Sequence, residues 1–147
     1  MVSRKQAGFT LIELLIVLSI LSIILLIGYR TYDNNTSERE FESWYQQFEL
    51  DLIYIQKRAM VTNEPYTILF RSKSHTYEIG KSTFYPAQII REIPEDWVVS
   101  MQTLNNPIRF SSTGQIVNPG AMTITIGADS YRIYFPFGKG RCYYAKF

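Results

Sequence analysis

The stretch KQAGFTLIELLIVLSILSIILLIG, Lys5 to Gly28, decides how the chain is read. In the 20 residues from Phe9 to Gly28 only Thr10, Glu13, Ser19 and Ser22 have polar side chains. At about 1.5 Å of rise per residue, a helix of that length spans about 30 Å, the thickness of a bilayer's hydrocarbon core. Arg4 and Lys5 precede it and few charges follow it closely. The positive-inside rule then places the N-terminus in the cytoplasm and the remainder outside. A secretory signal peptide is the competing reading. Against it, Ile27-Gly28-Tyr29-Arg30 offers no small-x-small cleavage site, and Glu13 interrupts the apolar run near its start.

Glu13 is the most informative residue. A carboxylate at the centre of a membrane span costs on the order of 2.5–3.5 kcal/mol, and less near an end. The helix dipole favours an acid in the first turn by only about 0.3–1 kcal/mol, so the dipole does not plainly cover the burial cost. A positive group on another chain would.

Lys5-Gln6-Ala7-Gly8-Phe9-Thr10-Leu11-Ile12-Glu13-Leu14 resembles the class III signal of type IV prepilins and pseudopilins. The shared pattern is a basic leader ending in Gly, then Phe, an apolar helix, and Glu at the fifth mature position. The resemblance implies that a membrane prepilin peptidase cuts between Gly8 and Phe9 and methylates the new amine of Phe9. It implies that Glu13 pairs with the N-terminal amine of a neighbouring subunit during assembly, since a buried carboxylate is tolerable where a cation meets it. It also implies other pilins as partners. Residues 1–8 are then a leader, 9–29 a membrane and assembly helix, 30–63 an amphipathic stem and 64–147 a head.

After the polar stretch Thr31–Ser37, Ser37 with Glu40 fits a capping box that restarts or continues a helix. Phe41, Trp44, Tyr45, Phe48, Leu52, Ile55 and Ala59 then follow steps of three and four, one buried stripe. Leu50, Ile53 and Tyr54 lie off it, as surface scatter or as contacts to other helices. Thr62-Asn63-Glu64-Pro65 ends the pattern. If the two pieces join, residues 9 to 61 form a stem of about 80 Å.

Beyond Pro65 the period becomes two. Strands are predicted at Tyr66–Arg71, Thr76–Ile79, Trp97–Thr103, Pro107–Phe110, Met122–Ile126, Tyr131–Phe135 and Arg141–Lys146, with turns at Ser72-Lys73-Ser74, Gly114, Asn118-Pro119-Gly120, Gly127-Ala128-Asp129 and Gly138-Lys139-Gly140. One long helix followed by strands without alternation predicts an α+β fold, the helix packed on a C-terminal antiparallel β-sheet. The pattern resembles H-like minor pseudopilins through Phe110, Gly114, Ile124, Ile126 and Gly138-Lys139-Gly140-Arg141. Asp51, Gln56, Ala59 and Thr67-Ile68-Leu69-Phe70 carry a finer resemblance to competence pseudopilins of DNA-uptake pili in Gram-positive bacteria. The resemblance implies a non-enzymatic minor subunit, held in the membrane and then in a surface pilus. An H-like subunit of a type II secretion or other pilus system, and a DNA-binding or adhesive tip subunit, are the alternatives.

The 147 residues fit one domain of modest core. Hydrophobic residues at 46% and aromatics at 15% exclude a disordered chain. One cysteine and one histidine, Cys142 and His75, exclude a disulfide scaffold within the chain and most metal or triad chemistry. No catalytic set, metal site or cofactor is expected. His75 reads as a solvated turn residue, Glu95-Asp96 as an acidic turn, and Gly138-Lys139-Gly140 lacks a P-loop's spacing. Cys142 reads as buried, with an intermolecular disulfide as the alternative.

Net charge is +2, and removing Arg4 and Lys5 with the leader leaves 13 basic against 13 acidic residues. Residues 33–64 carry seven acids and three bases, whereas residues 107–147 carry five bases and one acid. Such faces suit adjoining subunits. Arg132, Lys139, Arg141 and Lys146 are therefore candidate contacts to a subunit or to DNA. Tyr143, Tyr144 and Phe147 weakly resemble an aromatic strip for single strands. Aromatics at alternate strand positions usually fill a core, and indirect contact with DNA is the favoured reading.

Overall fold

The computed structural model describes residues 10–81, 85–138 and 141–147, with the backbone alone for 27–35. Two compact units divide the chain, Met1–Glu38 and Arg39–Phe147. Gly8 and Phe9 lie outside the described residues, as do Lys139 and Gly140.

In the first unit, helix α1 (Leu11–Thr62) begins. From Leu11 to Leu26 every Leu, Ile and Val is exposed, between 51% at Leu18 and 81% at Leu11. The polar interruptions do not break the helix, because Ser19 and Ser22 donate to the carbonyls of Leu15 and Leu18, each at 2.8 Å. Among the described residues no helix is long and apolar enough to cross a membrane. The apolar run with described side chains, Leu11 to Leu26, has 16 residues, and the expected span from Phe9 to Tyr29 exceeds it at both ends.

Two helical pieces were one expectation, yet α1 runs unbroken through Thr31–Ser37. No proline falls between Leu11 and Thr62, and Ser37 with Glu40 continues the helix instead of starting one. The stop comes where the sequence puts it. Asn63 takes a left-handed φ of 52°, Glu64 N bonds back to Ala59 O at 3.3 Å, and Pro65 cannot extend the ladder.

In the second unit the strands follow as β1 (Tyr66–Arg71), β2 (Thr76–Gly80), β3 (Ile89–Glu92), β4 (Trp97–Ser100), β5 (Ile108–Phe110), β6 (Gly120–Ile126), β7 (Asp129–Phe135) and β8 (Tyr143–Lys146). Every pairing is antiparallel. They divide into two four-stranded sheets, ordered β3-β2-β1-β5 and β4-β6-β7-β8, where the sequence reading drew one. Strand β3 was not foreseen. Short turns fix the two long hairpins, β1-β2 and β6-β7, so each register follows from its turn.

The α1 stripe closes both sheets. Phe41, Phe48, Ile55 and Ala59 have no exposed surface, Tyr45 and Leu52 are buried and Trp44 is half-buried. Phe48 meets Tyr77 of one sheet at 5.3 Å and Phe135 of the other at 6.2 Å, edge to face in both cases. Phe41 stacks on Tyr131 with centroids 3.9 Å apart. Each such ring contributes about 1.5–3 kcal/mol when fully buried, so the stripe is the main fastening of helix to head.

Candidate functional site

Three places carry the residues singled out above. The first is the start of α1. Thr10 N and Thr10 Oγ1 both donate to Glu13 Oε2, and Glu13 N donates to Thr10 Oγ1, all at 3.4 Å. This is a capping box, Thr-x-x-Glu, which satisfies helix-end donors reciprocally. The Thr-x-x-Glu spacing is present in the sequence, and the structure adds Thr10 as the partner of Glu13. At 3.4 Å these bonds are long and weak.

The second place ties α1 to a sheet. Asp51 is 4% exposed and carries its charge on the helix's inner side. Its Oδ2 accepts from Tyr77 Oη at 2.8 Å and Arg91 Nε at 3.0 Å. Its Oδ1 accepts from Arg91 at 3.2 Å and from Gln47 at 3.2 Å. Burial, then the hydrogen bond to Asp51 and its charge, push the Tyr77 phenol above the usual range against the pull of Arg91. Arg91's own hydrogen bonds to Asp51 raise its guanidinium against the pull of desolvation. Nothing in the sequence linked a helix acid to an arginine 40 positions away.

The third place lies under β8. Tyr45 Oη donates to the Cys142 carbonyl at 2.8 Å and sits 3.3 Å from Cys142 Sγ. Across that second contact either the phenol or the thiol can donate. Cys142 is 7% exposed, and burial pushes its thiol up to about 11 although the Tyr45 contact pulls the other way. Burial, then the bond to Cys142, raises Tyr45 as well.

The basic candidates do not gather into one patch. Arg132 projects from the outer side of β7, its guanidinium 4.6 Å above the Phe147 ring. Lys146 falls on the opposite side of the sheet, paired with Asp129 at 3.1 Å. Arg141 is exposed just before β8, and Lys139 lies outside the described residues. His75 is half-buried in the β1-β2 turn with a φ of 47°. Among the described residues no three His, Cys, Asp or Glu side chains gather as metal ligands would.

Residues 3–29 match the family model described as the prokaryotic N-terminal methylation motif. Over 142 residues the chain is 30% identical to the competence protein ComGD of Bacillus subtilis (strain 168), covering 94% of this chain and 92% of that protein. The chain belongs to the type IV prepilin and pseudopilin family. Pilins and pseudopilins are structural rather than catalytic proteins, and membership implies processing by a prepilin peptidase and assembly with other pilins. Among solved structures, the minor pseudopilin EpsH from the type 2 secretion system of Vibrio cholerae matches this pseudopilin with a TM-score of 0.49 and 10% identity, covering 68% of this chain and 91% of that one.

Proposed function

We propose that this pseudopilin is a minor subunit of a competence type IV pilus, needed for pilus assembly and DNA uptake in natural transformation. The observation that carries the reading is the run Leu11–Leu26, whose large apolar side chains are all more than half exposed. A soluble monomer does not leave such a surface in water; lipid or a bundle of like helices must cover it. Lipid covers it in the precursor, with residues 9–29 as a single span, the N-terminus cytoplasmic and the head outside. Neighbouring pilin helices cover it in the filament. The similarity to a competence protein over most of both chains supports the choice of system.

In this reading, cutting between Gly8 and Phe9 removes Arg4 and Lys5, which hold the helix start at the cytoplasmic surface. The N-methylated amine of Phe9 then meets Glu13 of a neighbour. Glu13 is free to turn to it, since its bonds to Thr10 are long. Leu50 at 61% and Tyr54 at 39% exposure add apolar surface further along α1. Glu13→Ala is the test. Membrane insertion should persist while incorporation into pili and transformation fall; incorporation at the normal level would refute the proposal. Gly8→Val should leave an uncut precursor retained in the membrane.

A further inference from the structure

The outward face of the sheet β4-β6-β7-β8 is turned away from the buried residues Ile124, Ile126, Tyr131 and Ile133. Register places Ser100 opposite Thr123, Thr123 opposite Arg132, and Arg132 opposite Ala145. Residues directly opposite share a face, so these four form one row across the sheet. Rings flank that row on either side. Tyr143, 57% exposed, stacks on Tyr134 with centroids 5.0 Å apart. Phe147, 66% exposed, lies beneath the Arg132 guanidinium, and its N–H bonds to Ser130 O at 3.0 Å. Tyr144 alone of the three C-terminal rings turns toward the core.

Two polar atoms in the row are buried without a hydrogen-bond partner among the described residues, Thr123 Oγ1 and Arg132 Nε. Thr123 is 6% exposed and aimed to the same side as Arg132. Arg132 Nε can only donate, so what it lacks is an acceptor, whereas the Thr123 hydroxyl can donate or accept. The outward positions of the four strands carry Arg132 and no acidic side chain. An anion is therefore favoured over the row, and planar rings are favoured beside it.

We propose that this face is a stacking platform for single-stranded nucleic acid, with Tyr143 and Phe147 each taking a base and the half-buried Arg132 taking the phosphate between them. Tyr143, at the start of β8, and Phe147, just past its end, stand four residues apart, about 13 Å of extended chain, which leaves space for that phosphate. A duplex hides its base faces and cannot use the rings. The site deepens the competence reading only in naming the strand as DNA.

The experiment measures fluorescence polarisation of a labelled oligothymidylate with the full chain in detergent micelles, at low and at moderate salt. Binding should weaken as salt rises, and the matching duplex should bind less well. Tyr143→Ala and Phe147→Ala should each weaken binding about tenfold or more, and Tyr143→Phe should restore it. Arg132→Gln should lower affinity and flatten the salt slope by about 0.7. No binding at low salt, or affinity unchanged by both ring variants, would overturn the proposal. So would ring variants that lose a sibling pilin while keeping the oligonucleotide. Filament incorporation of Tyr143→Ala should stay normal, so failure here is separable from failure of the Glu13→Ala test.

Discussion

Asp51 and Arg91 meet in a two-pronged ion pair, 3.0 and 3.2 Å long, that fastens the middle of α1 to the edge strand β3. The pair is lopsided. The Asp51 side chain is 5% exposed and that of Arg91 is 41% exposed. Arg91 can fall back on water and Asp51 cannot.

That asymmetry sets the order of two substitutions. Asp51→Asn keeps an acceptor for Tyr77 and releases an arginine that reaches solvent, so it should cost about 1–2 kcal/mol. Arg91→Met strands a buried carboxylate on Tyr77 and Gln47 alone, and should cost about 3 kcal/mol. Urea unfolding of both variants gives the comparison. A larger loss for Asp51→Asn would mean that the phenol, not the arginine, is what Asp51 serves.

The stem stripe was legible because burial at helical spacing is a local property, and all its predicted members but Trp44 are buried, with Trp44 half-buried. Strand β1 was legible for the same reason: Tyr66, Ile68 and Phe70 are buried in alternation. Strand β3, Ile89–Glu92, was not, since Ile89-Ile90-Arg91-Glu92 does not alternate apolar with polar and its residues are only half-buried or exposed. The division into two sheets follows from pairings such as β1 with β5 and β4 with β6, across long loops that leave no trace in periodicity. The site shows the same limit. Glu13 and its Thr10 partner are neighbours in sequence, whereas Asp51 finds Arg91, and Tyr45 finds Cys142, only after the chain has folded.

Gly114 holds a φ of +75°, and a Cβ there would sit 2.8 Å from the Gln56 carbonyl oxygen on α1. Gly127 also has a positive φ, +55°, yet nothing lies within 4 Å of its would-be Cβ. Alanine at 127 should therefore cost about 1 kcal/mol for the left-handed backbone alone. Alanine at 114 adds a backbone clash and should cost about 3 kcal/mol. Thermal unfolding of the two variants checks the gap, and equal losses would show that the head moves away from α1 there without penalty.

Cys142, Tyr45 and Tyr77 all hold their protons more tightly when folded. The unfolded chain releases a thiol proton near pH 9 and phenol protons near pH 10, while the folded thiol waits until about 11. Their contribution is thus whole below pH 9 and declines as pH climbs toward 11 and beyond. Stability measured by denaturant should stay flat from pH 7 to 9 with respect to these groups and then drop. In parallel, a thiol reagent at pH 8 should label Cys142 slowly in the folded chain and rapidly in urea. Fast labelling of the folded chain would mean that β8 opens readily, and would favour a disulfide to another chain.

The last prediction separates two roles for Glu13. A capping box works with Gln as well as Glu, because either side chain can accept from the N-cap. An ion pair with a neighbour's amine works only with the charge. Glu13→Gln should therefore leave the helix start intact while lowering incorporation into pili nearly as far as Glu13→Ala does. Thr10→Val should do the reverse: it removes the hydroxyl side of the box, at about 1 kcal/mol of local helix stability, and leaves the carboxylate for assembly. Quantifying pilus-associated subunit for the three variants decides the matter. Wild-type incorporation of Glu13→Gln would assign the residue to capping, and the apolar run from Leu11 would then have to hold the filament with no charge pairing at its base.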